Sequence, residues 1–184
     1  MNMIQRDLHQ QLRAEALAAR QRVADLVRPL DPAQLQEHPE PQRWSVAEVL
    51  EHLCVTHEAS SAPAMVAARA ARPDAGAPAR EWRPSFLGNL IASSLAKPRP
   101  LKAPKLFRPG LTARNGVLEA FLSHETDFVK AMDDAGTLDW RAVRVGSPVL
   151  PKWAPKMNLG DGFRIHVVHV ARHTKQIERA ISHL

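Results

Sequence analysis

The chain has 184 residues, with 25 Lys plus Arg against 19 Asp plus Glu for a formal charge of +6, one Cys and no Tyr. A single cysteine excludes an internal disulfide and a cysteine-based zinc module, and no apolar run approaches the roughly 18 residues that suggest a membrane span. The length suits one domain over 1–184, and the N-terminal MNMIQRDLHQQLRAEA lacks the apolar core of a secretory signal, so a cytoplasmic protein is expected.

Taken in chain order, the sequence reads as helices separated by proline-rich connections. Residues 3–28 carry apolar side chains at Ile4, Leu8, Leu12, Leu17, Val23, Leu26 and Val27, a helical spacing that no Gly or Pro interrupts before Pro29. The three prolines of 31–43 predict a loop. A second helix is expected from Val46 to about Arg69. Ser45 followed by Glu48 is a capping box, in which hydroxyl and carboxylate each take a free backbone N–H, and Trp44 stands where a hydrophobic staple belongs. Pro63 predicts a kink or break in the final third of this helix.

Residues 71–84 read as a linker, and SFLGNLIASSLA (85–96) as a short apolar helix suited to homodimer contact. The segment 97–110 holds four prolines and five basic residues and predicts an extended loop. Another helix is expected from Thr112 to about Asp134, with an apolar face through Val117, Leu118, Phe121, Leu122, Phe128, Val129 and Met132. Residues 136–160 read as irregular, and a last helix runs from about Asp161 to Ile181. No strand-type alternation persists. The expectation is an all-α four-helix bundle with one extra short helix and long Pro-rich connections, including an irregular Pro/basic insertion at about 71–110.

Nine histidines are present, and three crowd into the last helix. His169 and His173 are four apart, so they differ by roughly 40° around the axis and by about one turn along it, a geometry in which two imidazoles share a metal ion. His166, three before His169, is read as part of the same stripe. A third ligand has to come from another helix, and His52 and His57 are the candidates. They are five apart, about 140° around the axis, so both cannot face one site. Val49 and Leu53 flank His52 on the core side and favour it.

RWSVAEVLEHL (43–53) followed by HVVHVARHTKQI (166–177) resembles the DinB-like (YfiT-like) metal-binding superfamily of four-helix bundles. The matching positions are Trp44, Ser45 and His52, then His169, His173 and Gln176. The resemblance implies that His52, His169 and His173 hold a divalent ion, with zinc or nickel as the usual choice. It also implies a metal-dependent enzyme of thiol-dependent transferase or hydrolase type, acting on a small molecule with a low-molecular-weight thiol. The alternative expectation for this chain is a non-catalytic member, a metal-binding or stress-associated scaffold. His166 and the 71–110 insertion depart from the family pattern.

The remaining candidates have plainer readings. Glu48 is assigned to the helix cap, and Gln176 to orienting a ligand or to helix packing. Cys54, about 200° around the helix from His52, is read as a small buried hydrophobe. Trp82, Trp140 and Trp153 lie in the irregular connections, and at least two are expected to pin loops to the core. The basic residues of 97–108 are read as a solvated, Pro-stiffened loop. Without interleaved aromatics beyond Phe107 or a reading motif, nucleic acid is not the expected partner.

Overall fold

The computed structural model describes residues 3–110 and 112–184. Helix α1 covers Gln5–Val27, close to the expected span. Its start is tied down by a two-residue ladder, β1 (Met3–Ile4) antiparallel to β2 (Glu81–Trp82), and by Gln5 N–H donating to the Arg80 carbonyl at 2.9 Å. The expected loop at 31–43 contains a single-turn helix, α2 (Pro32–Gln36). Asp31 and Gln34 form a reciprocal capping box around it, and Pro32 stands in the first turn, where its missing N–H costs nothing.

The Ser45–Glu48 box forms as expected: Ser45 N–H donates to Glu48 Oε2 at 2.8 Å, and Glu48 N–H to Ser45 Oγ at 3.2 Å. The helix it opens reaches Arg69 in three pieces, α3 (Val46–Thr56), a π-helical turn (His57–Ser61) and α4 (Ala62–Arg69). The irregularity therefore lies just before Pro63 rather than at it. A proline ring clashes with the carbonyl four residues back, and widening the preceding turn relieves that clash while Pro63 occupies the first turn of α4.

The apolar segment forms α5 (Phe86–Ala96), and the next helix, α6, covers Val117–Asp134. Its start is five residues later than expected because Gly116 adopts φ 64°, a left-handed conformation that breaks the helix on its N-terminal side. The last helix, α7, spans Leu159–Ile181 and begins at a box between Asn158 and Asp161. Residues 136–160 are less irregular than expected, since β3 (Arg144–Val145) pairs antiparallel with β4 (Met157–Asn158). Ladders of two residues are too short to leave an alternating pattern in the sequence.

Helix α1 packs against α6 and α7, and α3 packs against the same two from the other side, giving the four-helix arrangement. Helix α5 lies along α7. Gly88 permits this approach, because a Cβ there would run into the Asp161 carboxylate. Phe86 remains 88% exposed on the outer side of α5. Leu17, expected inside, is also exposed.

The core divides into two clusters. One holds Leu8, Leu12, Phe128, Met132, Trp140 and Phe163, and the other holds Val23, Val46, Leu50, Phe121, Val170 and Ile177. Trp82 and Trp140 are fully buried and anchor their connections, as expected. The Trp82 indole N–H donates to Asn158 Oδ1, and that of Trp140 to the Ala135 carbonyl. Gln5 completes this end by donating to the Leu138 carbonyl and accepting from Trp140 N–H. Trp153 is 85% exposed and pins nothing. Among the described residues, no helix is long and apolar enough to cross a membrane.

Candidate metal centre

Where the two apolar clusters meet, polar residues enter the bundle. His52 projects from α3 towards α7, and His169 and His173 project towards it from successive turns of α7. His52 Nε2 and His169 Nε2 are 3.1 Å apart. The ring centroids are 5.0 Å apart for His52–His169 and 4.6 Å for both His52–His173 and His169–His173. Two nitrogens each bound at about 2.0–2.1 Å to one tetrahedral ion lie roughly 3.3–3.4 Å apart, so the observed spacing is close to what a shared cation requires.

Two of the rings are held in one orientation by partners on their far sides. His52 Nδ1–H donates to the main-chain carbonyl of Phe107, and His173 Nδ1–H donates to Gln176 Oε1 at 2.9 Å. Each bond fixes the proton on Nδ1 and leaves Nε2 with a free lone pair, the arrangement that ligating histidines use. Trp44 packs against the His52 ring at a centroid distance of 5.0 Å. Burial lowers the pKa of all three rings, and mutual repulsion among the imidazoles lowers His169 and His173 further; His173 falls to about 3. All three are therefore neutral at pH 7, as metal ligation needs. The donor set fits a divalent ion of the zinc, nickel, copper or iron type.

A cleft of about 1010 Å³ opens over these rings. The 97–110 segment forms one wall, so it is not merely a solvated loop. Arg172 holds it in place, donating to the carbonyls of Leu95 at 3.0 Å, Lys97 at 2.8 Å and Arg99. Lys97, Arg99 and Lys102 from the loop and Lys175 and Arg179 from α7 line the cleft.

His166 does not join this group, contrary to its reading as part of the same stripe. Three residues are about 300° around the axis, so its ring turns towards α6, where Nε2 lies 2.8 Å from Glu125 Oε1. His57 is also buried and also faces Glu125 and His166 rather than the three-histidine group. Burial, followed by His166 and His124, lowers its pKa to about 3. Glu48 keeps its capping role. Cys54 is 1% exposed and points to α6, with its thiol pushed up to about 12 by burial. It behaves as the small hydrophobe expected.

Sequence reasoning missed the Phe107 carbonyl, Arg172 and Glu125. A main-chain carbonyl carries no sequence signal. Glu125 did carry one: it is a carboxylate in the middle of the apolar face of α6, between Leu122 and Phe128.

The fold is thus an all-α bundle in which three buried imidazoles converge between the second and last long helices, a donor group that could hold a cation. The chain belongs to the DinB superfamily, whose family profile matches residues 15–177. No curated protein and no solved structure matched the chain significantly.

Proposed function

We propose that this protein is a metal-dependent enzyme of transferase or hydrolase type. In this reading His52, His169 and His173 hold a divalent ion, zinc or nickel, and a small anionic substrate or a low-molecular-weight thiol enters through the cleft. The observation that carries the reading is the convergence of three neutral imidazoles on the floor of that cleft, two of them with their lone pairs aimed inward by Phe107 and Gln176. A divalent ion on three neutral ligands keeps its full charge and supplies Lewis acidity towards an anionic group.

The chain's own residues do the rest. Arg172 sets the loop wall, and the cations at the mouth raise the local concentration of anions. Because His166 is engaged by Glu125, it does not supply the fourth protein ligand that would make a closed, structural site. This favours the enzyme over the non-catalytic scaffold.

The test is metal analysis of protein purified without a polyhistidine tag, followed by cobalt(II) substitution and addition of a small thiol. We expect His173→Ala to bind at least one equivalent less metal than the wild type. We also expect a thiolate-to-cobalt absorption band in the wild type that His173→Ala lacks. Equal metal content in the two proteins overturns the ligand assignment, and a wild type that shows no band with excess thiol overturns the thiol reading.

A further inference from the structure

A second cluster of metal-ligating side chains lies deeper in the bundle and shares no residue with the first. His57 begins the π-helical turn between α3 and α4, Glu125 comes from α6, and His166 comes from α7. One donor atom from each lies within 4.8 Å of the other two, and all three side chains are buried. Glu125 is 2% exposed and His57 4%.

The hydrogen-bond inventory of the cluster is incomplete. Glu125 Oε1 has one partner, His166, and Oε2 has none; His57 Nδ1 has none either. A carboxylate has about four lone-pair positions to satisfy, and burying one with so few partners is costly unless a cation compensates it. The surrounding residues hold the rings as a ligand shell would. Phe128 stacks on His166 at 3.7 Å and His124 stacks on His57 at 4.5 Å, so neither ring is free to turn away. Ser61 Oγ lies 2.9 Å from His166 Nδ1. In the tautomer in which Nδ1–H donates to Ser61, His166 Nε2 presents its lone pair on the Glu125 side, as ligation of a shared ion requires. The π-helical turn contributes both His57 and Ser61, and such turns recur at functional sites. Ser61 and His166 also form part of the cleft wall, which gives an ion a route in.

We propose that His57, Glu125 and His166 form a second divalent-cation site, separate from the three-histidine centre, with a two-imidazole, one-carboxylate donor set suited to a first-row transition metal such as zinc, cobalt(II) or iron(II). This site does not depend on the reading of the first.

The test is titration of chelator-treated full-length protein with zinc, and separately with cobalt(II), in the wild type, His173→Ala, Glu125→Gln and the double variant. The expected stoichiometries are two, one, one and none. A loss of at least tenfold in affinity counts as loss of a site. If His173→Ala binds no metal, or binds the same amount whether or not Glu125 is replaced, the proposal fails. Should Glu125→Gln not fold by circular dichroism, zinc-soaked crystals of the wild type decide the matter. An anomalous peak in contact with Glu125, His57 and His166 supports the site, and a peak at the three histidines with none here overturns it.

Discussion

The imidazole of His52 and the main-chain carbonyl of Phe107 are joined by a hydrogen bond across 55 residues of sequence. A candidate metal ligand on α3 and the proline-rich loop therefore hold each other. The loop sets the tautomer and tilt of the ring, and the ring fixes the loop against the cleft. Removing an outer hydrogen bond of this kind typically lowers metal affinity about 10- to 100-fold.

The same logic applies to Gln176, whose Oε1 accepts from His173 Nδ1 at 2.9 Å. Replacing it by Leu removes the acceptor but keeps the bulk. We expect metal affinity at the three-histidine centre to fall about 10- to 100-fold with an unchanged circular dichroism spectrum. Competition titration against a chelator of known affinity measures this, and an unchanged affinity refutes the orienting role.

Arg172 bonds three alternate carbonyls, that of Leu95 in the last turn of α5 and those of Lys97 and Arg99 in the loop. Arg172→Leu strips the wall of its anchor. Charged hydrogen bonds contribute about 1.5–3 kcal/mol each, so the loop should open at least about tenfold more often. Limited trypsin digestion reads this directly, because the loop offers cleavage sites after Lys102 and Lys105, the two of its basic residues that no proline follows. Faster cutting within 97–108, with the rest of the chain still protected, is the expected result.

Arg114 grips Glu51 with two bonds of 2.9 Å and bonds Glu58 at 2.6 Å, bridging the segment before α6 to α3 and to the π-helical turn. The guanidinium holds the Glu51 carboxyl below the usual carboxylate range. Arg114→Leu leaves Glu51 buried without its counter-charge. The expected loss is about 2 kcal/mol, discounted because Arg114 is itself partly exposed. For a chain of this length that lowers Tm by roughly 4–8 °C. A thermal melt checks it, and a shift under about 1 °C would show the pair to be worth no more than an ordinary surface ion pair.

Gly88 separates α5 from α7 by less than a methyl group, with Asp161 directly opposite. That carboxylate is not free to yield: its Oδ2 accepts from the backbone N–H groups of Ser85 and Asn158. Gly88→Ala should destabilise by about 1–3 kcal/mol despite the better helix propensity of alanine. Gly146→Ala is the control, because nothing lies within 4 Å of a Cβ there, and it should leave the denaturant midpoint unchanged.

Helix existence was readable because its causes are local. The Ser45–Glu48 box, the proline after Val27 and the 3.6-residue spacing of apolar side chains all act within one or two turns, so a linear string displays them. The His169–His173 pair was readable on the same grounds. The misreadings lie where local rules compete: Pro63 moved its disturbance upstream into the π-helical turn, and Gly116 delayed the start of α6 from Thr112 to Val117.

The directions in which the side chains converge came from tertiary packing alone. His166 sits about 300° around the axis from His169, and that offset is enough to carry its ring to α6 and Glu125, a neighbour that only the packing of α6 against α7 supplies. His52 meets His169 across 117 residues, and the basic loop reaches His52 through a backbone carbonyl that every residue possesses. Spacing along a chain encodes angles around a single helix axis. It contains no term for the distance between two axes, and that distance decides which rings share an ion.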